Sequence, residues 1–265
     1  MIRLDDRNFI VTGATQGIGA DIAETLIRAG AGVAIVGRGR EKGEEIARRL
    51  GSRAHFLETD VADDDAIIRC VETASKRFGT IHGLVNNACI YDDPGPHATR
   101  AQWHRVLDVN LIGAAIMSAK VADRMPEEGG VIVNVGSIGG KFGAAGRMLY
   151  PASKAALLQI TKNLAVTLAP RKIRVLSVSP AVTWSPSVES ATRSLEAADR
   201  RAAALHPLGR VGRGPEVANA VLFACSDLAS FITGTDIAVD GGYTSLGPDQ
   251  GLGPRPWIDG TVGAR

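Results

Sequence analysis

The chain has 265 residues, of which 45% are hydrophobic and 22% charged, and a formal net charge of +2. That is ample for a large buried core and ordinary for a globular protein; the charge is too small to argue for nucleic acid or an anionic membrane as a partner. The polar start, Met1-Ile2-Arg3-Leu4-Asp5-Asp6-Arg7, lacks the apolar stretch of a secretory signal, no apolar run is long enough to span a bilayer, and Cys70, Cys89 and Cys225 show neither metal spacing nor a disulfide framework, so a cytoplasmic protein is expected.

Phe9-Ile10-Val11 reads as a first strand. Ile18, Ile22 and Leu26 recur every four residues and Gly30 follows as a stop, which predicts a helix between. Gly32-Val33-Ala34-Ile35-Val36 is a second strand, a charged helix runs over about 41–50 to Gly51, and His55-Phe56-Leu57 is a third strand. Asp63 begins a helix with Ile67, Ile68 and Val71 on its apolar face, ending at Gly79. Leu84-Val85 is a fourth strand, followed by one long helix over roughly 100–124. Val131-Ile132-Val133-Asn134-Val135 is a fifth strand, a helix covers about 150–168, and residues 173–178 are a sixth strand. Pro215 opens a helix at its first turn, and Ile237-Ala238-Val239 is a seventh strand.

This alternation predicts an α/β fold, a Rossmann-type doubly wound, seven-stranded and mostly parallel sheet with helices on both faces. The strand runs are continuously apolar, as expected when both faces are buried. Residues 1–245 are expected to form a single dinucleotide-binding catalytic domain, and 246–265 a Gly/Pro-rich tail carrying Trp257. The segment 183–206 departs from the pattern and is expected to act as a lid.

Thr12-Gly13-Ala14-Thr15-Gln16-Gly17-Ile18-Gly19 follows a strand and opens a helix. Glycines there permit a tight turn and close approach of backbone to a pyrophosphate, and the helix N-terminus offers free N–H groups. The spacing differs from the common G-x-G-x-x-G fingerprint. The end of the second strand holds Gly37 and Arg38, with no carboxylate before Glu41. An arginine fork there suits a 2′-phosphate, so NADP is expected, with NAD the alternative; the less favoured reading makes Arg38 and Arg40 solvated charges at a helix start.

Tyr150 and Lys154 are four apart and share one helix face. A cation about 4 Å from a phenol, at an effective dielectric of 20, is worth roughly 4 kcal/mol, or about three pKa units. That brings a group of ordinary pKa near 10 towards neutrality, where an acid/base works best, without a metal.

With Asn86-Asn87-Ala88, Asn110, Ser137, Pro180 and Asp240-Gly241-Gly242, these motifs make the sequence resemble the short-chain dehydrogenase/reductase family from about residue 4 to 242. The resemblance implies Tyr150 as proton donor and acceptor, Lys154 on the nicotinamide ribose, Ser137 on the substrate oxygen and Asn110 as anchor of a water. It implies Gly13, Thr15, Gln16, Gly17, Ile18, Gly19, Asp60, Val61, Asn87, Pro180 and Thr183 as cofactor contacts. Cys89 and Ala181 stand where the family usually has Gly.

Tyr91, Phe142, Met148 and Trp184 fall near the strand ends and suggest a neutral, moderately apolar alcohol or ketone as substrate. The expected activity is hydride transfer between a secondary alcohol and a ketone. The alternatives are an NAD-dependent dehydrogenase of a sugar, polyol or cyclic alcohol, a 3-oxoacyl thioester reductase, or a non-enzymatic NADP sensor. The resemblance also implies a homotetramer or homodimer packed through the long helices.

Overall fold

Seven strands form one sheet: β1 (Asn8–Thr12), β2 (Gly32–Gly37), β3 (Ala54–Glu58), β4 (Gly83–Asn86), β5 (Gly130–Val135), β6 (Ile173–Pro180) and β7 (Asp236–Val239). The computed structural model describes residues 2–247 together with Gly251 and Ile258. Trp257 and most of the tail lie outside the described residues.

The strand order is β3-β2-β1-β4-β5-β6-β7, and every ladder among the described residues is parallel. The chain winds outwards from β1 to β3, returns to the middle, and winds the other way from β4 to β7. The reversal falls between β1 and β4, where a crevice opens at the carboxyl ends of the strands.

The helices are α1 (Gly17–Arg28), α2 (Arg40–Leu50), α3 (Asp64–Phe78), α4 (Arg100–Leu107), α5 (Gly113–Ala122), α6 (Leu149–Leu168), α7 (Pro186–Thr192), α8 (Leu195–Ala202) and α9 (Gly214–Cys225). Alternate strand residues feed two cores. Phe9, Val11, Val33 and Ile35 pack with Ile22 and Leu26 of α1 and Val217 and Val221 of α9. Ile10, Ala34 and Val36 pack on the other side with Ile67 and Val71 of α3 and Met117 and Val121 of α5. Both faces of the sheet are therefore covered, and hydrophobic burial on each holds it in place.

Two sequence expectations change. The long helix expected over 100–124 is interrupted by a π-helical turn at Asp108–Ile112, between α4 and α5. The turn lets Asn110, 1% exposed, point inward to polar partners instead of continuing an even helical surface. The segment 183–206 is not a bare loop: it carries α7 and α8. Trp184, Val188 and Leu195 pack there against buried Ala198, Ala202 and Val211. Among the described residues no helix is long and apolar enough to cross a membrane, and no cluster of side chains could hold a metal ion.

Candidate active site

The glycine turn between β1 and α1 is braced from β4. Thr12 Oγ1 accepts the backbone N–H groups of Asn87 (3.0 Å) and Ala88 (3.1 Å). The Asn87 amide donates to the carbonyls of Thr12 (3.0 Å) and Gly13 (3.1 Å). This packing leaves no room for side chains. A Cβ on Gly19 would stand 2.3 Å from the Gly13 carbonyl oxygen and 2.4 Å from Asn87 Nδ2. Gly13 has φ +64° as well, a region that other residues rarely enter. No side chain caps the N-terminus of α1 and no acidic residue sits in its first turn, so free N–H groups and the positive end of the helix face the crevice.

The crevice has a volume of about 710 Å³, within the range of small-molecule sites. Gly13, Thr15, Gln16, Gly17, Ile18 and Gly19 line one part of it. Arg38, Asp60 and Val61 line the end beyond β2 and β3; Asn87, Tyr150, Lys154 and Pro180 line the other end. At the β2 end, a Cβ on Gly37 would meet Thr15 Cγ2 at 2.7 Å. A side chain at that position would need the Thr15 side chain to shift. Arg38 is exposed there and stands 3.8 Å from the Asp60 carboxylate. Lys42, which also lines the crevice, donates to Gln16 Oε1 at 3.1 Å. Arg40 turns away to pair with Glu58 at 2.5 Å.

At the opposite end α6 carries Tyr150 and Lys154. Lys154 is 2% exposed, and its ammonium donates to the carbonyl of Val135 at 2.7 Å. One bond leaves two of its three donors for the crevice. The Nζ lies 5.7 Å from the centroid of the Tyr150 ring. The Arg147 guanidinium stands over the same ring at 5.4 Å. Ser137 is buried just past the end of β5, and its Oγ accepts the N–H of Gly139 at 3.0 Å.

Three predicted site residues do not line the crevice. Ser137 is buried beside the Tyr150 end: a Cβ on Gly139 would lie 3.3 Å from Ser137 Oγ and 3.7 Å from Tyr150 Cε1. Asn110 is buried in the π-helical turn, where its Oδ1 accepts from Ile90 N (2.8 Å) and its Nδ2 donates to Ile90 O (3.0 Å) and Ser153 Oγ (3.1 Å). Thr183 is buried, with its hydroxyl on the Ala181 carbonyl at 3.1 Å. Ser185, Pro186 and Ser187, at the start of α7, line the crevice in its place.

Sequence reasoning missed Asp93. Its carboxylate accepts the N–H groups of Met148 (3.0 Å), Tyr150 (3.2 Å) and Gly95 (3.2 Å), and Arg147 Nε lies 3.7 Å away. It caps the first turn of α6 from a loop 55 residues earlier in the chain. Burial pushes the carboxyl up, but the N–H groups of Met148, Leu149, Tyr150 and Gly95 outweigh it and hold the group below its ordinary value. Only the acidic type within a loop rich in Asp and Pro hints at this, because the helix it caps is distant in sequence. Thr12, the brace of the glycine turn, was likewise unmarked as a functional residue.

Residues 13–244 match a family profile described as Enoyl-(Acyl carrier protein) reductase. The chain is 39% identical over 247 residues to cis-4-hydroxycyclohexanecarboxylate dehydrogenase of Sinomonas cyclohexanicum, covering 91% of this chain and 98% of that one. It is 38% identical over 252 residues to cyclopentanol dehydrogenase of Comamonas sp. (strain NCIMB 9872), covering 92% and 100%. It is 38% identical over 247 residues to a 3-oxoacyl-acyl-carrier-protein reductase of Aquifex aeolicus, covering 91% and 98%. Among solved structures, a short-chain type dehydrogenase/reductase from Mycobacterium ulcerans is similar with a TM-score of 0.86 and 31% identity, over 92% of each chain.

Proposed function

The chain belongs to the short-chain dehydrogenase/reductase family, and on that premise we propose that it interconverts a secondary alcohol and a ketone with NADP(H), Tyr150 giving and taking the proton. It is an oxidoreductase acting on hydroxyl and keto groups, as its relatives are, and the family uses a nicotinamide dinucleotide. One observation carries the reading of the site. Tyr150 and Lys154 line the end of a single crevice whose other part is the uncapped helix start and its glycine turn.

The residues fit the dinucleotide. The side-chain-free turn at Gly13, Gly17 and Gly19 lines the crevice, and the N–H groups of the α1 start suit a pyrophosphate. Arg38 and Lys42, with glycine and no carboxylate at position 37, favour a 2′-phosphate over bare ribose hydroxyls. Asp60, 3.8 Å from Arg38, holds part of that charge.

When bound, the cofactor supplies or accepts a hydride at the substrate carbon. Tyr150 then donates its proton to the substrate oxygen in reduction, or accepts it in oxidation. Lys154, with two donors free, holds the ribose and adds positive charge near the phenol. Ser137 hydrogen-bonds the substrate oxygen. Asn110 fixes the backbone of Ile90 against α6, so that the crevice wall beside Tyr150 stays in place.

The names of two relatives favour a cyclic alcohol or its ketone as substrate; a third relative makes a 3-oxoacyl thioester the second reading. Ile112 and Val166, exposed on the π-helical turn and α6, suit packing of a second copy, as a homodimer or homotetramer requires. The test is nicotinamide absorbance with both cofactors and a panel of cyclic and acyclic carbonyls. Tyr150→Phe is expected to lose turnover by about 100-fold or more while still binding cofactor. Turnover at the original rate would sink the assignment.

A further inference from the structure

We propose that Tyr91 is a second phenol of the acid/base centre, a positioning residue whose hydroxyl donates to the Tyr150 oxygen and steadies the phenolate left when Tyr150 gives up its proton. The inference rests on the proposed role of Tyr150.

The two rings lie 5.0 Å apart between centroids, tilted by 31°, and both line the same end of the crevice. Tyr91 is 56% exposed, and Cys89 and Tyr150 are the side chains that act on its hydroxyl. An aromatic ring left this open gains little from burial. Its position is fixed by the backbone on either side. One residue before it, Ile90 is held at both its N–H and its carbonyl by Asn110, which also bonds Ser153 of α6. Two residues after it, Asp93 is fastened to the N–H groups of Met148 and Tyr150. Beyond that, Gly95 touches Gly146 so closely that a Cβ would lie 2.5 Å from the Gly146 carbonyl oxygen. Three fastenings clamp the loop to the start of α6, and the residue between them faces the proton donor.

The chemistry agrees. Burial of its hydroxyl end, and then the nearby Cys89 and Tyr150, push the Tyr91 phenol above the ordinary tyrosine value. It therefore keeps its proton and stays a donor. A donor aimed at an oxygen favours the charged form of that oxygen over the neutral one. In reduction the Tyr150 O–H bond breaks, its proton goes to the substrate oxygen, and the hydride from the reduced nicotinamide goes to the substrate carbon. In oxidation both transfers reverse. The Tyr91 O–H bond stays intact in either direction. The other groups facing Tyr150 are Lys154 and Arg147 near its ring and Asp93 at its backbone N–H, with Cys89 beyond Tyr91. Removing the Tyr91 hydroxyl leaves all of them in place.

Tyr91→Phe keeps the ring and deletes only the hydroxyl. The rate of alcohol oxidation against pH is expected to rise about one unit higher in the variant, with about a ten-fold loss at neutral pH; thermal unfolding and cofactor affinity are expected to stay as in the parent. An unmoved pH midpoint overturns the proposal, whether the rate is unchanged or only KM shifts, the latter marking a plain pocket wall. Tyr91→Leu serves as control: a midpoint that moves in Leu but not in Phe assigns the effect to the ring and overturns the proposal too. If Tyr150→Phe still turns over, the underlying reading fails. If that variant is dead while Tyr91→Phe keeps the parental midpoint, only this inference fails.

Discussion

Lys154 reaches from α6 to the carbonyl of Val135, the last residue of β5, and donates a 2.7 Å hydrogen bond to it. A buried ammonium is thus pinned to the sheet two residues before Ser137, by an acceptor that no side-chain substitution removes. The helix that carries Tyr150 and the strand that leads to Ser137 share one charged link.

Lys154→Met keeps the volume and removes the charge. It leaves the Val135 carbonyl without its partner, at a cost of about 1–3 kcal/mol. The larger effect is expected on turnover, with kcat falling by about 100-fold or more. Steady-state kinetics beside a thermal melt separates the two. A kcat within about three-fold of the parent means that the ammonium has no part in the reaction.

Asp93→Ala removes the acceptor of two backbone N–H groups at the entry to α6 and of the Gly95 N–H in its own loop. Caps of this kind contribute about 0.5–2 kcal/mol, and kcat should fall as the first turn frays around Tyr150. The pH dependence has a definite sign. The folded-state carboxyl lies below its ordinary value, so its contribution is complete above the unfolded value near 3.9. It is lost as the pH falls below that value through the depressed folded one. Parent and variant melting curves should therefore differ at neutral pH and converge in acid. A difference that grows in acid contradicts the cap.

Gly19→Ala would force a methyl to 2.3 Å from the Gly13 carbonyl oxygen. Relief requires the turn to open, at about 1–3 kcal/mol. Cofactor affinity is expected to fall by about ten-fold or more, as read by fluorescence titration. Unchanged affinity would show that the turn is not the pyrophosphate seat.

Arg38→Asp replaces an exposed cation at the crevice edge with a second carboxylate beside Asp60. NADP affinity should fall by about ten- to a hundred-fold, and NAD affinity should change far less. An equal loss for the two cofactors argues against a 2′-phosphate at this edge.

Asn110→Ala deletes three hydrogen bonds joining the 87–95 loop to α6. Buried partners left unpaired cost about 1–3 kcal/mol each. A lower melting temperature is expected, with a larger loss in kcat than in cofactor affinity, because the cofactor turn is braced separately by Thr12 and Asn87. Loss of cofactor affinity alone would place Asn110 in a different role.

Much of the architecture is legible because it is local. Strands buried on both faces read as short apolar runs, and β2, β5 and β6 match theirs within a residue or two. The turn Gly13 to Gly19 and the pair Tyr150 and Lys154 depend on spacings of a few residues, so each motif is legible in a short segment, while their meeting in one crevice depends on the folded sheet. Asn110 shows the opposite case. Its helix looked continuous, yet partners 20 and 43 residues away draw it inward at a π-helical turn. Thr183 is a further example, since its burial depends on packing around α7 and α8 and on a bridge to Gly212.

Sequence by itself determined which residues alternate into strands and helices and which chemistry-bearing groups share a helix face, because those properties follow from periods of two and 3.6 residues. Tertiary structure alone decided that Asp93 caps α6, that Tyr91 lies against Tyr150, and that Lys154 bonds β5. Each of these joins segments brought together only when the sheet folds, and loop-closure entropy, not local propensity, is what such contacts must overcome.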